Sequence, residues 1–142
     1  MKVACGTDII EIDRIKDAIE KYAGKFKEDI FTDKEVEYCE KHNSQKYQHY
    51  AARFAAKEAI FKAISNKISN NYRWNDFEIV NNEIGKPEVH LRTEIPEIES
   101  IDVSLSHCKE YAIANVVVLF RWCFLIRIRT IMMKNLILIE KR

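Results

Sequence analysis

The apolar positions of this chain change period part-way along it. Val3 to Ile12 is a β-rich apolar run interrupted by Gly6, Asp8 and Glu11. From Asp13-Arg14-Ile15 onward the apolar residues fall at Ile15, Ala18, Ile19 and Tyr22, which is the spacing of one helix face. Thr32-Asp33-Lys34-Glu35 places Thr at an N-cap and Glu at N3, so a capping box opens a short helix through Cys39. Tyr47 to Ile64 predicts the longest helix, since Ala51, Ala52, Ala55, Ala56, Ala59 and Ala63 are the best helix formers and no Gly or Pro intervenes. After Asn66 the apolar runs shorten: Phe77–Val80, a break at Gly85-Lys86-Pro87, Val89–Leu91, Ile101–Leu105 and the continuous Tyr111–Phe120. Helices early and strands late predict a small single α+β domain, its helices packed on a mainly antiparallel sheet.

Composition narrows the classes. At 142 residues, with 47% hydrophobic and 32% charged residues, the chain is one ordinary globular domain. Its net charge is +1, yet from Arg121 onward six Lys/Arg stand against Glu140 alone, which leaves about −4 for residues 1–120. Bulk charge therefore gives no basis for nucleic-acid binding, and any anion site is local. Cys5, Cys39, Cys108 and Cys123 are far apart with no CxxC pair, which speaks against zinc or a disulfide framework and for reduced thiols. MKVACGTDII lacks a signal peptide's long apolar stretch, and a cytoplasmic location is the expectation.

Asp8 is the first residue with possible chemistry. An acid within an apolar strand either turns to solvent, caps a turn, or is paired with a cation. On the long helix Glu58 and Lys62 share a face, as do Arg53 and Lys57, and all four are embedded among Ala and Phe. Such charges either make exposed helix pairs or face a cleft or subunit boundary. Asp8 with Glu58 could hold Mg²⁺, which takes one or two carboxylates together with waters and substrate phosphates. Arg53, Lys57 and Lys62 suit phosphate oxygens. Ser104-Leu105-Ser106-His107 ends one strand just before the next begins, and Gly85-Lys86-Pro87 can bring backbone N–H groups and an ammonium to a phosphate.

Taken together, Gly6-x-Asp8 with Arg14, the run Arg53-Phe54-Ala55-Ala56-Lys57-Glu58-Ala59 with Lys62-Ala63, Gly85-Lys86-Pro87 and Ser104-Leu105-Ser106-His107 resemble the holo-(acyl-carrier-protein) synthase family of 4'-phosphopantetheinyl transferases over residues 1 to about 119. The resemblance implies that family's fold and a homotrimer with active sites between protomers. It implies transfer of 4'-phosphopantetheine from coenzyme A to a serine of apo-acyl carrier protein, releasing 3',5'-ADP, in support of fatty acid biosynthesis. Asp8 and Glu58 would hold Mg²⁺, and Asp8, Glu58 and Lys62 would form the catalytic set. Arg53, Lys57, Gly85, Lys86, Pro87, Ser106 and His107 would surround the coenzyme. Arg14, Lys21 and Lys25 would meet the acidic carrier. The segment 13–27 has five basic residues against three acids, a mild excess in the right sense.

Residues 120–142 depart from the family pattern. The stretch is apolar with Arg121, Arg127 and Arg129 inside it, too interrupted for the ~20 apolar residues of a membrane span. It reads as an extension without functional role, although an extra element packed on a trimer or a contact with a membrane surface would use the same composition. Two other functions fit the charged set. A Mg²⁺-dependent phosphohydrolase would cleave coenzyme A or a nucleotide without a carrier, and a non-catalytic coenzyme A-binding module would bind it without turnover.

Overall fold

The structure is a computed structural model that describes residues 2–65, 68 and 71–121. Strand β1 (Lys2–Glu11) runs without a loop into helix α1 (Ile12–Ile30). The first turn of α1 is anchored by the Ile12 N–H, which donates to the Glu110 carbonyl at 2.8 Å. Helix α2 (Asp33–Glu40) begins with the expected capping box, the Thr32 hydroxyl accepting from the Glu35 N–H and the Glu35 carboxylate accepting from the Thr32 N–H. Helix α3 (Lys46–Ile64) follows a 3₁₀ turn at Asn43–Gln45. A second 3₁₀ turn, Trp74–Asp76, leads into β2 (Phe77–Asn81), β3 (Pro87–Leu91), β4 (Ile98–His107) and β5 (Tyr111–Phe120).

All pairings are antiparallel. β5 lies between β1 and β4 in a three-stranded sheet, and β2–β3 form a separate hairpin. One face of the larger sheet carries α3, whose Ala55, Ala59 and Ala63 are buried with Ala114, Val116 and Val118 of β5. Small side chains let the helix backbone lie close to the sheet, and Gly6 is the extreme case. A Cβ there would stand 1.8 Å from the Ala59 carbonyl oxygen, so only glycine fits where β1 crosses α3. A second core cluster joins Ile15 and Ile19 of α1 and Cys39 of α2 to Tyr50 and Ala51 of α3.

The α+β architecture matches the expectation in order and kind. β4 begins earlier than the apolar pattern indicated, at Ile98, because a bulge between Ile98 and Ser100 breaks the alternation. Phe120 closes β5 opposite Lys2 and Ile98, and Arg121 donates to the Glu97 and Ile98 carbonyls. Phe120, the first residue assigned to an extension, thus belongs to the sheet, and Arg121 is bonded beside it; residues 122–142 lie outside the described residues. Among the described residues no helix is long and apolar enough to cross a membrane.

Candidate active site

Strand alternation sets Asp8 on the same face as Gly6, and the tight crossing at Gly6 brings that face onto α3. Lys62, one turn beyond Glu58 on α3, reaches across. Its ammonium donates to Asp8 Oδ1 at 2.7 Å and to the Thr7 carbonyl at 3.1 Å. Burial raises the pKa of the half-buried Glu58 above the usual carboxylate value; Asp8 pushes it the same way and Lys62 opposes. The bond to Asp8 in turn raises the pKa of Lys62. Asp8 and Lys62 are therefore paired directly, with the Glu58 carboxylate near enough to feel the charge of both.

That donor set fits Mg²⁺. Two neighbouring carboxylates whose repulsion is only half offset attract a hard cation, and Mg²⁺ accepts few protein oxygens when a substrate supplies the others. Among the described residues there is no cluster of three or more His, Cys, Asp or Glu able to hold a metal by themselves.

A second group gathers nearer the start of α3. Arg53 donates from Nε to the Ile79 carbonyl at 3.1 Å and from Nη2 to Asn81 Oδ1 at 2.8 Å. Asn81 in turn donates to the Gly85 carbonyl at 2.8 Å, which ties Arg53 to the β2–β3 turn. Gly85 has φ +84°, a conformation that glycine adopts without strain. The Asn82 side chain accepts from the Ile84 and Lys86 N–H groups and shapes the same turn. Lys86 is exposed and pairs with Asp102 at 3.1 Å, and Pro87 opens β3 opposite Asn81. Ser106 and His107 are exposed at the end of β4. Arg14, Lys21 and Lys25 are exposed along α1.

One expectation needs correction. Lys57 is fully buried, and its three donor positions go to Glu35 Oε2 (2.7 Å), the Ile30 carbonyl (2.7 Å) and the Trp74 carbonyl (3.1 Å). It has no proton left for a phosphate and does not face a cleft. Arg53 is likewise buried, its guanidinium centre 4.0 Å from the Tyr38 ring centroid. That α3 is covered on several sides was readable from its alanines, but not which cations the covering elements would claim. Asn81, which links Arg53 to the β2–β3 turn, was missed, since nothing in the sequence marks it.

Comparison with known proteins bears on this arrangement. The profile of the 4'-phosphopantetheinyl transferase superfamily matches residues 4–116. A holo-(acyl-carrier-protein) synthase of Ruminiclostridium cellulolyticum is 48% identical over 124 residues, covering 83% of this chain and 92% of that protein. The crystal structure of the Bacillus anthracis holo-(acyl-carrier-protein) synthase in complex with coenzyme A (3',5'-ADP) is 36% identical, with a TM-score of 0.68 over 81% of this chain and 94% of the other. The Helicobacter pylori enzyme in complex with coenzyme A is 31% identical, with a TM-score of 0.71 over 81% and 99%. The two carboxylates and the lysine that a strand and a helix bring together here thus stand within a matched fold, and the chain belongs to the 4'-phosphopantetheinyl transferase superfamily, as an enzyme of its holo-(acyl-carrier-protein) synthase family.

Proposed function

We propose that the protein transfers 4'-phosphopantetheine from coenzyme A to a serine of apo-acyl carrier protein in a Mg²⁺-dependent reaction that releases 3',5'-ADP. The cytoplasm is the proposed setting and fatty acid biosynthesis the process served. The observation that carries the reading is the Asp8–Glu58–Lys62 group, whose charges suit a diphosphate and its cation. Bound there by Asp8 and Glu58, Mg²⁺ would neutralise diphosphate charge as it develops on the leaving side. Lys62 adds a half-exposed ammonium for the same oxygens. Glu58, the carboxylate that Lys62 leaves unbonded, or a metal-bound water next to it, is assigned to receive the serine proton. A diphosphate leaves readily, so positioning and charge account for most of the rate gain. Gly85, Lys86, Pro87, Ser106 and His107 are assigned to the nucleotide, and Arg14, Lys21 and Lys25 to the acidic carrier.

The active unit is proposed to be a homotrimer. Val3, Ile9 and Val117 are exposed on the sheet face opposite α3, and such an apolar face favours covering by a second copy. Arg53 and Lys62 are nine residues apart, about 13 Å along the helix axis. The catalytic group and the nucleotide group are thus separated on one protomer, which supports a site completed by a neighbour.

Intact-mass spectrometry of apo-acyl carrier protein incubated with the protein, coenzyme A and Mg²⁺ tests the transfer. The expected result is a gain of one phosphopantetheine that EDTA or Asp8→Ala abolishes. Coenzyme A consumed at the same rate without the carrier would overturn transfer in favour of hydrolysis.

A further inference from the structure

Three imidazoles that the proposed chemistry leaves unused, or uses only in part, converge from different elements. His42 follows α2, His49 lies on α3 and His107 ends β4. The His42 and His49 ring centroids are 4.1 Å apart, and those of His49 and His107 are 6.2 Å apart. Tyr38 walls the group, 4.6 Å from His42 and 5.3 Å edge-on to His49, with the Arg53 guanidinium over its ring. His42 Nδ1 lies 2.7 Å from the Tyr38 carbonyl, which fixes a proton on that nitrogen and leaves Nε2 the free position. His49 Nε2 is buried without a hydrogen-bond partner, an arrangement that invites one.

The charges around His49 are of one sign. From α2 and the turn after it come Tyr38 and His42, from α3 Arg53, and from β4 His107. Burial first, then these three basic groups, hold it down at about 4. Within the cluster, then, only His49 carries this opposition, and it comes from every side. An arriving dianion reverses the balance, because an opposite charge stabilises the protonated ring.

We propose that His42, His49 and His107 form a proton-linked phosphate site, in which binding of a coenzyme phosphate is accompanied by proton uptake at His49 Nε2. No covalent bond changes; the proton comes from solvent, and the charged ring donates its N–H to a phosphate oxygen. This rests on the coenzyme reading above, since His107 and the Arg53–Asn81–Gly85 chain place the nucleotide end beside the cluster. The sign follows. The bound-state pKa of His49 lies above its free-state value, so affinity rises as pH falls through the bound-state value and levels off below the free-state one. The consequence is coenzyme binding that responds to pH between those two values.

The site can be tested by NMR of ¹³Cε1-labelled histidine in the full chain, titrated alone, with coenzyme A and with dephospho-coenzyme A. The chain has four histidines, and His90 on β3, next to Glu88, is the internal control. Coenzyme A is expected to raise the His49 pKa by about 1–3 units, the range for an adjacent opposite charge, and to leave His90 in place. A rise with coenzyme A alone assigns the monoester phosphate to the cluster; a rise with both assigns the diphosphate. Calorimetric Kd values should tighten by up to about tenfold per pH unit in this window, the limit for one linked proton, and His49→Phe should remove that part of the slope. Coenzyme binding with an unmoved His49, or an unchanged slope in His49→Phe, overturns the proposal. No binding at any pH overturns the coenzyme reading as well, which separates the two failures.

Discussion

Lys57 and Lys62 lie five residues apart on one helix, and each holds a carboxylate at 2.7 Å, yet they do opposite work. The Lys57–Glu35 pair is 0% exposed on both sides. Glu35 also caps α2 and accepts the Ile79 N–H at 2.8 Å, so one ion pair ties together the ends of α1 and α2, the middle of α3 and strand β2. Lys62 is 52% exposed, and its partner Asp8 shares charge with Glu58. A cation with every donor position satisfied holds the fold; one with an exposed ammonium and a surplus of neighbouring carboxylate is free to meet substrate. Sequence spacing gives both lysines the same appearance. Burial separates them.

The largest expected effect tests the buried half of this contrast. Lys57→Met should cost about 3–5 kcal/mol in urea denaturation, because it strands the Glu35 carboxylate in the interior. The double variant Lys57→Met, Glu35→Leu should recover part of that loss. A single variant within about 1 kcal/mol of the parent would show that the pair is not the tie described.

Next comes the exposed half, read by activity. Glu58→Gln at saturating Mg²⁺ should lower kcat by roughly 10²–10³, the usual loss when one electrostatic element of a transition-state site is removed. Near-parental turnover would remove Glu58 from the catalytic set. The same variant sharpens the comparison through stability, measured in EDTA. Because the folded-state pKa of Glu58 is raised, the ionised form disfavours the fold at neutral pH. Glu58→Gln should therefore be more stable than the parent above that pKa. The gap should close as pH falls through the raised value toward the ordinary carboxylate range, and a pH-independent gap would argue against it.

Much of this was legible in the sequence, for identifiable reasons. The alanine run, the Thr32–Glu35 capping box and the Gly85 break are local signals, and each became the element it predicted. Glu58 and Lys62 could be set on one face by helix spacing, whereas Asp8 joined them through the chemistry of a Mg²⁺ site and the family resemblance. The fate of Lys57 and Arg53 was not legible, since Glu35, Asn81 and Tyr38 reach them from segments whose spatial placement no period encodes. Gly6 was noted for its place before Asp8, but its reason, the Ala59 carbonyl pressed against it, is a tertiary fact. The imidazole cluster escaped for the same cause, being assembled from α3 and from the ends of α2 and β4.

The smallest expected effect is the stability of Lys62→Met, and it decides whether the contrast between the two lysines holds. An ion pair with a half-exposed ammonium is worth about 0–1 kcal/mol, because water solvates the charge when the partner is gone. Lys62→Met should therefore unfold within about 1 kcal/mol of the parent, and raising the salt concentration should shrink even that difference. The loss from Lys57→Met should change little with salt, since mobile ions do not reach a fully buried pair. At the same time Lys62→Met should weaken turnover, which Lys57→Met should affect only through the amount of folded protein. If Lys62→Met costs as much stability as Lys57→Met, then the ammonium at Asp8 is also a structural tie, and the division of labour along α3 fails.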